Sequence, residues 1–257
     1  MPEHDLALLT QAARASGEIA LRYWRQSPKV WQKPGEGPVT EADIAVNDML
    51  LTRLREARPS YGWLSEETPD TEERLDCEHL FLIDPIDGTG AFIAEDSSFS
   101  HSLAIARNGV VTAAVVYLPA KDRLYAATLN GPATCNGEPI QCAIREGIAG
   151  ATLLTPKTNL TPELWNGPVP EVTRHFRASV AYRLCLVADG AFDGMISLRQ
   201  AWEWDIAAGA LIADRAGATV TNRQGTALHF NAELPRSNGV LVAAPGLHRE
   251  LLARLKQ

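Results

Sequence analysis

Two carboxylates, Asp84 and Asp87, flank a Pro85-Ile86 pair at the end of the apolar run His79–Ile83, and Gly88-Thr89-Gly90 follows at once. The run is short enough for a buried strand. Pro85 has no N–H for a sheet ladder and fixes φ, so the backbone must leave the strand here. The glycines then let the main chain approach a ligand closely. Hard oxygen donors beside freed backbone N–H groups suit a divalent cation holding a phosphate. A lone Asp-Gly would fit an ordinary acidic turn; the whole string favours the cation site.

Two further acidic segments bear on it. Trp63-Leu64 reads as a short strand running into Ser65-Glu66-Glu67-Thr68. If that strand neighbours the first, Glu66, Asp84 and Asp87 meet, and carboxylates that close repel one another unless a cation sits between them. Glu72, Glu73, Asp76 and Glu78 read as a solvated acidic loop, and Glu67 with them. In Trp202-Glu203-Trp204-Asp205-Ile206-Ala207-Ala208-Gly209, Asp205 stands where a helix begins. It fits an N-cap as well as it fits a further ligand, and Ala207, Ala208 and Gly209 allow close packing in either case. Thr40 and Asp43 have the spacing of a capping box.

Asp84-Pro85-Ile86-Asp87-Gly88-Thr89 and Trp204-Asp205-Ile206-Ala207-Ala208-Gly209 resemble the two signature motifs of the inositol monophosphatase family. Val39-Thr40-Glu41-Ala42-Asp43 and Leu64-Ser65-Glu66-Glu67-Thr68 are supporting matches in the same order, and the resemblance runs over nearly the whole chain. It implies a magnesium-dependent, lithium-sensitive phosphomonoesterase holding two or three Mg2+ ions. The implied fold is mixed α+β and α/β, a layered αβαβα sugar-phosphatase type. Glu66, Asp84 and the Ile86 carbonyl would hold one ion, with Asp84 bridging to a second completed by Asp87 and Asp205. Gly88 and Thr89 would offer N–H groups to the phosphate. Thr89 and Asp43, together with Glu66, would be the catalytic residues that orient and deprotonate the attacking water, and Asp205 would also face the substrate.

The Leu-Ser-Glu-Glu-Thr run, the Glu203-Trp204-Asp205 triplet and the continuation through Ala91-Phe92-Ile93 resemble the bacterial 3′(2′),5′-bisphosphate nucleotidase branch. The implied substrate is the 3′-phosphate of adenosine 3′,5′-bisphosphate. Leu198 stands where inositol-specific members carry a carboxylate ahead of the last metal aspartate. Arg183 is a candidate for substrate binding, as is Arg199, and Trp202 is the better placed of the tryptophan pair to stack a base, Trp204 reading as core. Inositol 1-phosphate, another sugar phosphate or histidinol phosphate is the alternative ester. A non-catalytic regulatory binding protein on the same scaffold is the alternative of another class, opposed by the presence of every implied ligand.

The chain of 257 residues allows one large domain or two modest ones. The expected division is 1–145, α+β with most metal ligands, and 146–257, α/β with the last metal aspartate and substrate-recognition residues. A net charge of −7 argues against a nucleic-acid polymer as partner, though not against a small phosphorylated substrate. Four cysteines without a Cys-x-x-Cys pair point to a reduced, cytoplasmic protein. The longest apolar stretch, Val110–Leu118, is far too short to span a membrane, and residues 1–26 carry charges throughout, unlike a signal peptide. The family includes dimers and monomers, so a homodimer is an open expectation.

The elements that must position these residues follow from periodicity. Leu6, Leu9, Ala13, Ala20 and Trp24 predict a first helix after Pro2. A loop is expected over 33–38, then a helix from Thr40 to Arg58 with Ile44, Met49, Leu50 and Leu54 inside, stopped by Pro59. Leu103–Arg107, Val110–Leu118 and Arg123–Ala127 read as strands, the first two joined by Asn108-Gly109, a hairpin signal. The second part predicts strands at Ala151–Thr155, Asp193–Leu198 and Val240–Ala243. Helices are expected at Ser179–Ala188, Asp205–Ala216 and Leu247–Leu255, with an unpatterned stretch over Pro156–Pro170.

Overall fold

Helix α1 (Pro2–Tyr23) leads through the hairpin β1 (Val30–Lys33) and β2 (Gly37–Thr40) into α2 (Glu41–Ala57). This is seen in a computed structural model that describes residues 2–33 and 37–256. There follow β3 (Gly62–Ser65), β4 (His79–Asp87), the short α3 (Thr89–Ile93), β5 (Ser100–Arg107), β6 (Val110–Leu118), β7 (Arg123–Thr128), β8 (Thr134–Cys135) and β9 (Glu138–Pro139). The second part comprises β10 (Thr152–Leu154), β11 (Thr173–His175), α4 (Val180–Ala188), β12 (Gly194–Ser197), β13 (Ala201–Trp202) and α5 (Glu203–Arg215). It ends with β14 (Thr219–Thr221), β15 (Arg236–Ser237), β16 (Val240–Ala243) and α6 (Pro245–Arg254).

Strands β3 to β9 form a seven-stranded sheet in chain order, with β3 and β4 parallel and the rest antiparallel. A five-stranded sheet has the order β11-β10-β12-β16-β14. Side chains alternate across a strand, and β4 divides its own accordingly. Phe81 and Ile83 pack with Leu9, Ala13, Leu50 and Leu54 of α1 and α2. Leu80 and Leu82 face the other way, into a core with Leu184 and Cys185 of α4, Ala207 and Ala208 of α5, and Leu154, Met195 and Val242 of the smaller sheet. The outer face of that sheet, Leu153, Ile196 and Leu241, is covered by Leu247 and Leu251 of α6 and by Trp165. Five layers result, αβαβα. The expected 145/146 boundary falls between the sheets, and we propose it only as a division of ligands, because the middle helical layer from the second part closes the sheet of the first.

Several expectations need correction. Of the loop expected over 33–38, Lys33, Gly37 and Pro38 instead pair as strand residues, while Pro34, Gly35 and Glu36 lie outside the described residues. Four-residue strands are too short to show a period. Ile44, expected inside, is 39% exposed, whereas Leu50 and Leu54 are buried. Helix α5 begins at Glu203, before the expected Asp205, with Trp202 at its N-cap and no side-chain capping bond. Asp205 is therefore not a cap. Strands β11, β14 and β15, each three residues or fewer, carry no readable pattern.

Helix α5 packs closely on α4 at Gly209, where an added Cβ would stand 2.6 Å from Leu184 Cβ. Helix propensity favours alanine over glycine by about 1 kcal/mol, but overpacking costs about 1–3 kcal/mol. Gly209→Ala is expected to lower the Tm by up to about 8 °C in a thermal melt; a higher Tm would show that the α4–α5 contact yields freely.

Candidate active site

Asp84 of β4 pairs with Ser102 of β5, and Asp87 pairs with Ser100. Three steps along one strand thus match two along the other, so β4 carries an extra residue at Pro85-Ile86, a β-bulge. In a regular strand, residues three apart point to opposite faces. The bulge turns Asp87 to the same side as Asp84, the side covered by α4 and α5, while Ile86 joins the opposite core. The Pro85 carbonyl accepts a hydrogen bond from His101 Nδ1 at 2.5 Å. His101 is fully buried, and burial pushes its pKa down to about 4, so the ring is neutral and its one N–H serves that carbonyl. The parallel register of β3, Ser65 opposite Ile83, sets Glu66 beside Asp84, and the Glu66 N–H donates to the Ile83 carbonyl at 3.2 Å.

Asp84, Asp87 and Asp205 each offer a carboxylate oxygen within 4.8 Å of the others. Burial first, and then the neighbouring carboxylates, hold Asp84 and Asp205 well above the usual carboxylate range. Asp84 Oδ1 is buried with no hydrogen-bond partner among the described residues. An ionised oxygen left in that state is costly unless a cation meets it, and the cluster of three hard donors to which Asp84 belongs fits a divalent metal. Asp87 is better provided for, accepting from Ser179 Oγ (2.6 Å), Ala181 N (2.6 Å) and Val180 N (3.0 Å) at the start of α4. Burial still raises its pKa. Glu66 is not one of these three: it lines the same crevice, but Lys33 Nζ stands 3.3 Å from its carboxylate and 2.8 Å from that of Glu67. The Glu67 side chain is only 4% exposed, so it does not belong to the solvated loop, unlike the exposed Glu72, Glu73, Asp76 and Glu78.

Thr89 Oγ1 lies 3.1 Å from Asp43 Oδ1 and 3.1 Å from the Ile86 carbonyl, and its single proton can go to only one of them. Asp43 Oδ2 accepts from Thr40 N (2.8 Å) and Thr40 Oγ1 (2.5 Å), closing the capping box on α2. Cap and Thr89 pair therefore coexist on different oxygens of one carboxylate. Burial raises Asp43 to about 6 against the Thr40 bonds. Gly88 has φ +95°, and a Cβ there would stand 3.2 Å from Ser179 N, so both conformation and space require glycine.

A crevice of about 230 Å³, lined by Glu66, Asp84, Asp87, Gly88, Thr89 and Asp205, has Trp202 and Trp204 at its side. It shares Glu66 and both tryptophans with an outer crevice of about 500 Å³ edged by Glu67, Asp70 and Glu233. Trp202 stacks on Trp204 at 4.5 Å, and the Arg236 guanidinium covers its ring at 3.6 Å. Arg183, expected to touch substrate, is 4% exposed and lines neither crevice. Its Nε donates to the Ser179 carbonyl (3.3 Å), within electrostatic reach of Asp87 and Asp205, and its Nη1 has no partner among the described residues. Arg199 is exposed. Ser179, His101 and Lys33 were not singled out from sequence as parts of this site. Ser179 was readable as a helix N-cap; the other two leave no local signal.

The raised carboxylates fix a sign. Without a cation, folded Asp84, Asp87 and Asp205 hold protons that the unfolded chain releases near 3.8, so stability is lost as pH rises through their elevated values. His101 works the other way, but only between about 4 and 6.5. Above that window the carboxylates set the trend. About 10 mM MgCl2 is expected to raise the Tm, and by more at the alkaline than at the acid end of a pH series of thermal melts. No shift at any pH would count against a cation at these oxygens.

The inositol monophosphatase family model matches residues 1–257. An inositol-1-monophosphatase of Rhizobium meliloti (strain 1021) is 32% identical over 235 residues, covering 86% of each chain. The 3′(2′),5′-bisphosphate nucleotidase CysQ of Salmonella typhimurium is 31% identical over 234 residues, covering 88% of this chain and 93% of its own. Among solved structures, an IMPase of Thermotoga maritima is similar with a TM-score of 0.83 at 26% identity, over 98% of this chain and 96% of that one. Fold, carboxylate cluster and relatives agree: the chain belongs to the inositol monophosphatase family, a family of metal-dependent phosphatases.

Proposed function

We propose that the protein is a magnesium-dependent phosphomonoesterase acting on a small phosphate ester. The observation that carries this reading is the triad of Asp84, Asp87 and Asp205, in which Asp84 has a buried oxygen with no partner among the described residues, with the Thr89–Asp43 pair beside it. Glu66, Asp84, the Ile86 carbonyl, Asp87 and Asp205 would hold the ions. Bound there, magnesium supplies positive charge to offset the phosphate and acidifies a water. With Asp43 ionised, the Thr89 hydroxyl would donate its hydrogen bond to Asp43 Oδ1 and keep its proton, which leaves the Thr89 oxygen lone pairs to accept a hydrogen bond from the attacking water and aim it in line. The Gly88 and Thr89 N–H groups would meet the phosphate oxygens.

For the ester, the first reading is the 3′-phosphate of adenosine 3′,5′-bisphosphate. It is supported by the stack of Trp204, Trp202 and Arg236, whose outer guanidinium suits a flat ring or an anion. A second reading, inositol 1-phosphate or another hydroxyl-rich ester, is favoured by the carboxylate oxygens of Glu67, Asp70 and Glu233 in the outer crevice, which can accept from hydroxyls. The four free thiols support a reduced, cytoplasmic setting, and the reading leaves a homodimer open. Among the described residues no helix is long and apolar enough to cross a membrane.

Phosphate release with and without magnesium tests the reading on adenosine 3′,5′-bisphosphate, inositol 1-phosphate, fructose 1,6-bisphosphate and histidinol phosphate. Magnesium-dependent turnover is expected, with adenosine 3′,5′-bisphosphate preferred by about tenfold or more in kcat/KM. Asp84→Asn, which removes charge with little change of shape, should lower kcat by about 1000-fold, ~4 kcal/mol of barrier. Preference for inositol 1-phosphate selects the second reading. Near-normal turnover by Asp84→Asn would refute the site, and no turnover of any ester would favour a binding protein.

A further inference from the structure

The outer crevice has two walls from distant parts of the chain. One is Thr68-Pro69-Asp70, after β3, and the other is Glu233-Leu234-Pro235, before β15. Neither wall lies in a sheet, and no core cluster holds one against the other. What joins them is Arg74, whose side chain is 2% exposed. Its Nε and Nη2 grip both oxygens of Asp70 at 2.6 and 2.8 Å. From the same guanidinium, Nη1 donates to Asn231 Oδ1 at 2.7 Å and Nη2 to the Glu233 carbonyl at 3.1 Å. Asn231 Nδ2 returns a bond to the Arg74 carbonyl at 3.1 Å. On the far side, the buried Glu203 carboxylate accepts from Asn231 N (2.7 Å) and Ala232 N (3.1 Å), which ties the second wall to the first turn of α5, where Asp205 sits. Arg74 lines neither the metal crevice nor the outer one.

We infer that Arg74 is a positioning residue that sets the distance between the two walls of the outer crevice and so governs which leaving groups the phosphatase accepts. Four of its five guanidinium donors are used in this clamp, and a planar fork is needed to hold a carboxylate and two carbonyl oxygens at once. Lysine offers no such fork. Because the clamp acts on the walls and not on the carboxylate triad, its loss should weaken binding of an ester whose leaving group reaches past Glu66, while sparing one whose leaving group does not. The inference rests on the phosphatase reading above for its kinetic part only.

The test uses the full chain with Arg74→Ala and Asn231→Ala, the latter cutting the clamp from its half-buried side should the former not fold. Phosphate release is measured on adenosine 3′,5′-bisphosphate or inositol 1-phosphate, whichever the wild type prefers, and on glycerol 2-phosphate. Both variants should raise KM for the larger ester about tenfold with kcat held within about twofold, and leave glycerol 2-phosphate kinetics within about twofold. Methylguanidinium at about 20 mM should restore the KM of Arg74→Ala. Amide deuterium exchange over residues 228–236 should quicken about tenfold in both variants, with residues 79–87 unchanged. An equal fall of kcat on both esters, an unmoved KM for the larger one, or unchanged exchange over 228–236 would overturn the clamp. If wild type releases no phosphate from either ester, the phosphatase reading falls while exchange still decides the clamp.

Discussion

Asp84 and Asp87 can serve one cation only if the strand that carries both gains a residue between them. Along a regular β4 one carboxylate would point at α1 and α2 and the other at α4 and α5. The bulge at Pro85-Ile86 removes that conflict, and the structure around it maintains the bulge. Proline gives up a ladder bond that the bulge would break in any case. The Pro85 carbonyl is served by a buried, neutral His101. Ile86 points back into the α1–α2 core and anchors the detour. Gly88, at a φ that disfavours other residues, then turns the chain away close to Ser179.

Gathering carboxylates in this way works against folding unless each finds a counterweight, and the counterweights differ. Asp87 takes the Ser179 hydroxyl and two N–H groups at the α4 start, a favourable place for an anion. Asp43 is divided between its capping role and Thr89. Glu66 has the Lys33 ammonium. Asp84, the most central, has one oxygen with no partner among the described residues. Protein groups therefore compensate the periphery of the cluster and leave a centre that a cation would fit. The same division accounts for Arg183, expected to touch substrate, which is buried within electrostatic reach of Asp87 and Asp205 and favours their ionised forms.

What was legible in the sequence was local. The Asp84–Thr89 string, the Thr40–Asp43 cap and the Asn108-Gly109 hairpin each write their chemistry into adjacent residues, and all three stand in the structure. Glu66 was reachable because two strand ends could be assumed to be neighbours. Less accessible was everything that depends on distant partners. Asp87 meets Ser179 across 92 positions and Arg74 meets Asn231 across 157, and neither pair leaves a periodicity. The true start of α5 was hidden because Trp202 makes no capping bond, so the one plausible cap, Asp205, drew the boundary to itself. The hairpin strand ending at Lys33 is too short to alternate visibly.

A crystal structure of the protein grown with manganese, whose anomalous scattering locates the ion independently of any substrate, decides whether the β4 bulge builds a cation site from Asp84, Asp87 and Asp205. A peak is expected in direct contact with oxygens of all three carboxylates, Asp84 Oδ1 among them. Manganese bound elsewhere, with that oxygen still unpartnered, would contradict it.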